Sequence, residues 1–257
     1  MDFIDRLDEI RNDLQEWVKR ETNGMIDHFN VKDINFATLY MFLNVVYFRG
    51  NWRIPFDKDF TTIDSFYNYG DKSKETKVFM MKNDDIGIKI GYFEIENEKF
   101  EVIIVPYQDD YSFFIVKSVK VEGDLSKVWR NFKRIDECDL KNKFKFERRN
   151  LYMPKFSLSK EIDMRKLYSD LGINYSSSNL GTRLNSANKN VKFDIISGNT
   201  KHLAVIDVDE YGTEAAALSY DCVDGIVNDI KVNSPFIFYV KNSTNNTVIF
   251  SGQINKF

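Results

Sequence analysis

Residues 206–235 read IDVDEYGTEAAALSYDCVDGIVNDIKVNSP. Leu203 to Ile206 and Val208 have the apolar weight of a buried strand, and the run passes without a turn signal into Gly212, Thr213 and Glu214. Beyond Gly212 the alternate residues Thr213, Ala215, Ala217 and Ser219 are all small. Successive side chains of a strand point to opposite faces, so these four share one face, which can slide between two existing strands with little displaced volume. The other face, Glu214, Ala216, Leu218 and Tyr220, is the one that stays partly wet. A stretch with the shape of a strand, followed by Asp221, Asp224 and Gly225, reads as an exposed loop with a latent capacity to become a strand.

The rest of the composition supports a substantial core. Of 257 residues 43% are hydrophobic and 15% aromatic, and only 4 Pro and 12 Gly leave little room for long linkers, so a single domain over 1–257 and a monomer are expected. A net charge of -3, from 36 basic and 39 acidic residues, gives no electrostatic case for nucleic acid or for an anionic membrane. Cys138 and Cys222 lie far apart, which favours free thiols and a reducing compartment. The N-terminal MDFIDRLDEIRNDL is charged and helical, unlike a signal peptide, so a cytoplasmic location is expected. Asn174, Asn242 and Asn245 head glycosylation tripeptides, which leaves secretion open.

Along the chain, Ile4, Leu7, Ile10, Leu14, Trp17 and Val18 recur at helical spacing, and Thr22, Asn23 and Gly24 supply a stop, predicting one or two helical segments over 2–23. Ala37 to Arg49 is apolar on both faces, as in a central strand covered on both sides. Short strands follow at Thr76–Met81, Ile86–Glu94, Glu101–Pro106 and Ser112–Lys117, helices at Leu125–Phe132 and Asp163–Leu171, and a hairpin of Phe236–Val240 with Thr247–Ser251. Strands without βαβ alternation predict an α+β class. Lys141 to Arg149, KNKFKFERR, interleaves basic and aromatic residues; it reads either as a polyanion patch or, better, as a solvated edge strand. No metal-ligand spacing, phosphate loop or cofactor motif is present, and His28 and His202, the only histidines, belong to no catalytic constellation, so neither a metal, a cofactor nor an enzyme is expected.

Four blocks carry a family resemblance. EYGTEAAA at Glu210 to Ala217 resembles the hinge of inhibitory serpins, and Asn233 to Phe236 with the following IFYV resembles the C-terminal signature of that family. NVVYFRGNW at Asn44 to Trp52 is similar to the end of the third strand of the main sheet, and LYMPKF at Leu151 to Phe156 to the sixth. The resemblance implies a large mixed sheet, smaller sheets and a reduced set of helices. RNDLQEWVKRETNGMI at 11–26 is similar to the helix across the front of the main sheet, which implies that the family's N-terminal helices are missing. It also implies a reactive loop over about 212–231 with its hinge at Gly212, Thr213, Glu214, Ala215, Ala216 and Ala217. Trp52, Lys155 and Glu210 then mark the breach, where a loop would begin to insert, and Asn44 with His202 the shutter, a buried hydrogen bond between neighbouring strands. The plainer readings are a core tryptophan, a surface ion pair worth about 0–1 kcal/mol, and a satisfied core histidine.

In the resembled family a target protease cleaves the loop, is held as an acyl-enzyme and is dragged along as the loop inserts. Counting back from Pro235 by the family's spacing gives Asp224–Gly225 as the reactive bond, whereas counting forward from the hinge gives Ile226. Asp221 to Gly225, DCVDG, resembles the Asp-x-Val-Asp-Gly pattern of caspase substrates, in which a basic pocket clamps the carboxylate; Asp224 also suits granzyme B. An Asp-Gly turn in an acidic loop is the plainer alternative. The expected function is an inhibitor or decoy of host Asp-specific proteases, blocking apoptosis or inflammation, in line with a resemblance to the compact intracellular serpins of poxviruses. Asp221 shares its parity with Thr213 and Ala217, so full insertion would bury a carboxylate. A non-inhibitory protein that binds a host partner is therefore the alternative.

Overall fold

The structure, a computed structural model, describes residues 6–32, 34–35, 40–131, 144–172, 198–211 and 229–257. The chain groups into two compact units, one of Met1–Phe48 with Ser157–Asp207 and one of Arg49–Phe156 with Val208–Phe257. Three α-helices and eleven strands among the described residues make the architecture α+β.

In the first unit, helix α1 (Leu7–Glu21) carries Asp8 and Glu9 in its first turn and Lys19 and Arg20 in its last, each at the end where the helix dipole favours it. It ends at the predicted stop. Thr22 Oγ1 donates to the Val18 carbonyl at 2.8 Å, and the Gly24 amide to that of Lys19 at 2.7 Å, with Gly24 at φ 78°. Strand β1 (Tyr40–Phe48) runs parallel to β8 (Gly198–Val208), in unbroken register from Tyr40 opposite Gly198 to Phe48 opposite Ile206. Strand β7 (Phe156–Asp163) pairs with the far side of β8, and Asp163 caps α3 (Met164–Asp170) by accepting from the Arg165 amide at 2.9 Å.

Met41, Leu43, Val45 and Tyr47 of β1 join Leu203 and Val205 of β8 against Leu14, Trp17 and Val18 of α1. The opposite face carries Phe42, 52% exposed, and an exposed Asn44. The expectation of a strand covered on both sides is thus corrected: among the described residues, α1 and the turn after it cover one face only.

The second unit is an eight-stranded mixed sheet. Its strands are β2 (Thr62–Tyr67), β3 (Glu75–Ile95), β4 (Glu98–Pro106), β5 (Tyr111–Ser118), β6 (Lys145–Pro154), β9 (Asp229–Lys231), β10 (Phe236–Asn242) and β11 (Val248–Ile254). They run in the order β11-β10-β5-β4-β3-β6-β9, with β2 also pairing with β3. Among the described residues only β6 and β9 of this sheet pair in parallel. The two strands expected at Thr76–Met81 and Ile86–Glu94 are one, β3, whose register shifts between Asn83 and Ile86. There the Asn83 side chain donates to the Pro55 carbonyl at 2.8 Å. Aromatic rings fill the core, where Phe113 stacks on Phe238 at 5.5 Å, and at its margin buried Phe66 meets the exposed Phe257 edge-on at 4.8 Å. On another face Val128 of α2 (Ser126–Arg130), with Leu125 just before it, covers Val102, Val116 and Ile237.

Lys145 to Arg149 pair with β3 on one side, whereas β9 reaches β6 only at Asn150 to Tyr152. The basic-aromatic run therefore lies at a sheet edge among the described residues. No described helix is long and apolar enough to cross a membrane.

Candidate functional site

The site is built where the chain leaves β8. Gly50 comes first, because a Cβ there would stand 2.5 Å from Tyr107 Cε1. The ring of Tyr107 lies against that glycine and stacks on Trp52, with centroids 4.4 Å apart and planes 13° apart. Burial pushes the Tyr107 phenol well above its ordinary range. Trp52 is 1% exposed, and its indole Nε1 donates to the Asp209 carbonyl at 2.7 Å.

Residues 209–211 are held from several further directions. Arg49 Nη2 lies 2.7 Å from Asp209 Oδ2, and the other carboxylate oxygen accepts from the Tyr211 amide at 2.9 Å. The Glu210 carbonyl accepts from the Phe56 amide at 3.1 Å. The Glu210 carboxylate, 4% exposed, takes Lys155 Nζ at 2.7 Å and the Thr61 hydroxyl at 2.9 Å. Burial disfavours its charged form, but the hydrogen bonds from Lys155, the backbone and Thr61 outweigh that, and its pKa lies below the usual carboxylate range. Lys58 Nζ stands 3.9 Å from the centroid of the Tyr211 ring.

Of the residues singled out in the sequence, Lys155 and Glu210 are thus in contact, and Trp52 grips the residue before Glu210. Asn44 and His202 are opposite each other in the β1–β8 register, and Asn44 Nδ2 lies 2.9 Å from His202 Nδ1. Their hydrogen bond is exposed rather than buried, because the face it occupies is the one α1 does not cover. Arg49, Thr61 and Lys58 were not singled out. Their partners lie about 150 residues along the chain, and no local pattern announces them.

The far end of the loop is tied as well. Asp229 to Lys231, within the stretch expected to be loop, form β9 beside β6. Asn150 Nδ2 donates to Asp229 Oδ1 at 2.9 Å, and the Val232 amide to the Tyr152 carbonyl at 2.8 Å. Gly212, Thr213, Glu214, Ala215, Ala216 and Ala217, and the bond between Asp224 and Gly225, lie outside the described residues, as do Ile226, Cys138, Cys222 and Asn174. Among the described residues no cluster of three or more His, Cys, Asp or Glu is placed to hold a metal.

The family model described as serpin (serine protease inhibitor) matches residues 1–257. Iripin-1 of Ixodes ricinus is 29% identical over 264 residues, which take in 99% of this chain and 64% of that protein. The chain therefore spans less than two thirds of that relative's length. A serpin-like protein of fowlpox virus (strain NVSL) is 30% identical over 257 residues, covering 95% of this chain and 68% of the viral protein. The crystal structure of native protease nexin-1 with heparin matches at a TM-score of 0.78 and 24% identity, over 100% of this chain and 68% of that one, a likeness of fold.

Proposed function

The chain belongs to the serpin family, and from that premise we propose that it offers Asp224–Gly225 as a reactive bond to Asp-directed proteases of the caspase or granzyme B type. The observation that carries this reading is a segment tied at both ends. Before it, Glu210 is buried and bonded to Lys155 and Thr61; after it, Asp229 to Lys231 pair with β6. Between these anchors lies DCVDG, with an aspartate for a basic pocket and a glycine after the bond.

The hinge residues Gly212 to Ala217 would enter between β1 and β8, which stand in direct register, so insertion must part nine paired positions and the Asn44–His202 hydrogen bond. Asp221 would then be buried on the same face as Thr213 and Ala217. That cost favours a decoy, cleaved without completing insertion, over a full trap. With a serpin-like protein of fowlpox virus among the relatives at 30% identity, the role we propose is in an infected cell, in its cytoplasm, against proteases of apoptosis or inflammation. The same Asp221 parity favours the second reading, a protein that binds a host partner and traps no protease.

The test is to incubate the purified chain with active caspases and with granzyme B, followed by denaturing gels and mass spectrometry. A covalent adduct at Asp224 identifies an inhibitor, and clean cleavage there without adduct a decoy. An intact loop after all of these proteases overturns the proposal in favour of partner binding.

A further inference from the structure

A second site lies away from the loop, on the sheet face where α2 packs. Register places Phe146, Lys89, Ile104, Phe114 and Tyr239 in one row across the adjacent strands β6, β3, β4, β5 and β10. On one side of that row Leu125 and Val128 cover Val102 and Val116. On the other side the face opens into a cavity of about 670 Å³, within the size range of small-molecule sites.

The lining has two distinct characters. Ile104 and Phe114 provide apolar wall, and Phe146, 69% exposed, lines the cavity on the other side of Lys89. The tip of its ring reaches Gly87, where a Cβ would stand 2.5 Å from Phe146 Cζ, so the glycine is what leaves room for the ring there. The charge is one-sided: Arg53, Lys89 and Arg148 all line the cavity. The one acidic residue lining it among the described residues, Asp84, is already paired with Lys82 at 2.8 Å. Arg53 and Lys89 have no ion-pair partner among the described residues.

We propose that this cavity binds a small amphiphilic carboxylate, with its hydrocarbon tail along Ile104 and Phe114 and its anionic head on Arg53 and Lys89, where Phe146 flanks it. A bare inorganic anion would leave the apolar wall wet, and a neutral lipid would leave the cations uncompensated. One head and one tail satisfy both halves of the lining. This site is independent of the loop and of any protease.

Calorimetric titration of the full chain with sodium laurate, below its micellar concentration, tests the idea. Dodecanol and dodecyltrimethylammonium serve as controls with the same tail. One laurate per chain is expected, bound about tenfold or more tighter than either control. Lys89→Gln and Arg53→Gln should each weaken laurate by roughly three- to tenfold without moving the unfolding midpoint, since both side chains are exposed. Ile104→Trp, which fills the wall, should abolish binding; if that variant fails to fold, the charge variants decide. Equal affinity for all three probes overturns the proposal. So does full laurate affinity in the Lys89→Gln/Arg53→Gln double variant, or no saturable uptake by the folded chain, as when another segment fills the cavity.

Discussion

Trp52 Nε1 donates to the main-chain carbonyl of Asp209 at 2.7 Å, across 157 positions of sequence. An indole N–H on a side chain 1% exposed needs a partner, and the Asp209 carbonyl supplies it. Arg49, three residues before Trp52, takes the Asp209 carboxylate at 2.7 Å. One short segment thus grips both the backbone and the side chain of the residue before Glu210, and the loop departs from a fixed point.

Gly50→Ala should destabilise the second unit by about 1–3 kcal/mol. Its Cβ would lie 2.5 Å from the Tyr107 ring, and that ring cannot retreat without losing its stack on Trp52. Urea denaturation of the two proteins gives the difference, and equal midpoints would mean the ring has room that the geometry denies.

Glu210 should give stability a specific acid limb. Its folded pKa is lowered, so its contribution is fully present above the ordinary carboxylate pKa of about 4.3 and is lost as pH falls through the lower folded value. Glu210→Gln should cost about 1–2 kcal/mol at pH 7, a modest figure because Lys155 is 42% exposed and its charge is screened. Denaturation midpoints from pH 7 to pH 3 should converge for the two proteins at the acid end. A constant gap over that range would show that the carboxylate charge is not responsible.

His202→Ala should cost only about 0.5 kcal/mol, the low end for a hydrogen bond, because water reaches the Asn44–His202 pair. Asn44→Ala should match it, and the double variant should cost little more than either alone, as expected of partners in one bond. A loss of 2 kcal/mol or more from either (a magnitude typical of buried unsatisfied groups) would mean that the pair is shielded.

Thr213→Arg bears on insertion alone. An arginine on the small-residue face cannot enter between β1 and β8 without burying a charge. Any covalent trapping at Asp224 should vanish, whereas cleavage of the bond should continue, as seen on a denaturing gel. Undiminished trapping in this variant would sink the insertion mechanism.

Local signals were legible where local chemistry decides the outcome. The stop at Thr22 to Gly24 and the β10–β11 hairpin depend on residues close in sequence, and both lie where the spacing predicts. Asn83, Asp84 and Asp85 look like a turn between two strands, yet Asn83 instead donates to Pro55 and β3 continues through a shifted register. β1 shows the opposite limit: an apolar pattern on both faces does not reveal whether a second layer exists to cover Phe42 and Asn44. The pairing of Lys155 with Glu210 was readable only through family resemblance, and the Thr61 and Arg49 contacts to Glu210 and Asp209 not at all. β9, three residues long, is too short to show any periodicity.

The pairing of β1 with β8 also sets a timetable. Asn44 meets a partner 158 positions later, and a ribosome adding about 5–20 residues per second needs roughly 8–30 s to reach it. Throughout that interval YMFLNVVYF, nine residues without a charge or a proline, has no β8 to pair with. Such a segment is a ready template for adhesion to other nascent chains. Shelter for β1 before residue 202 is made should therefore raise the yield of folded protein, and a slower elongation rate lengthens the exposure.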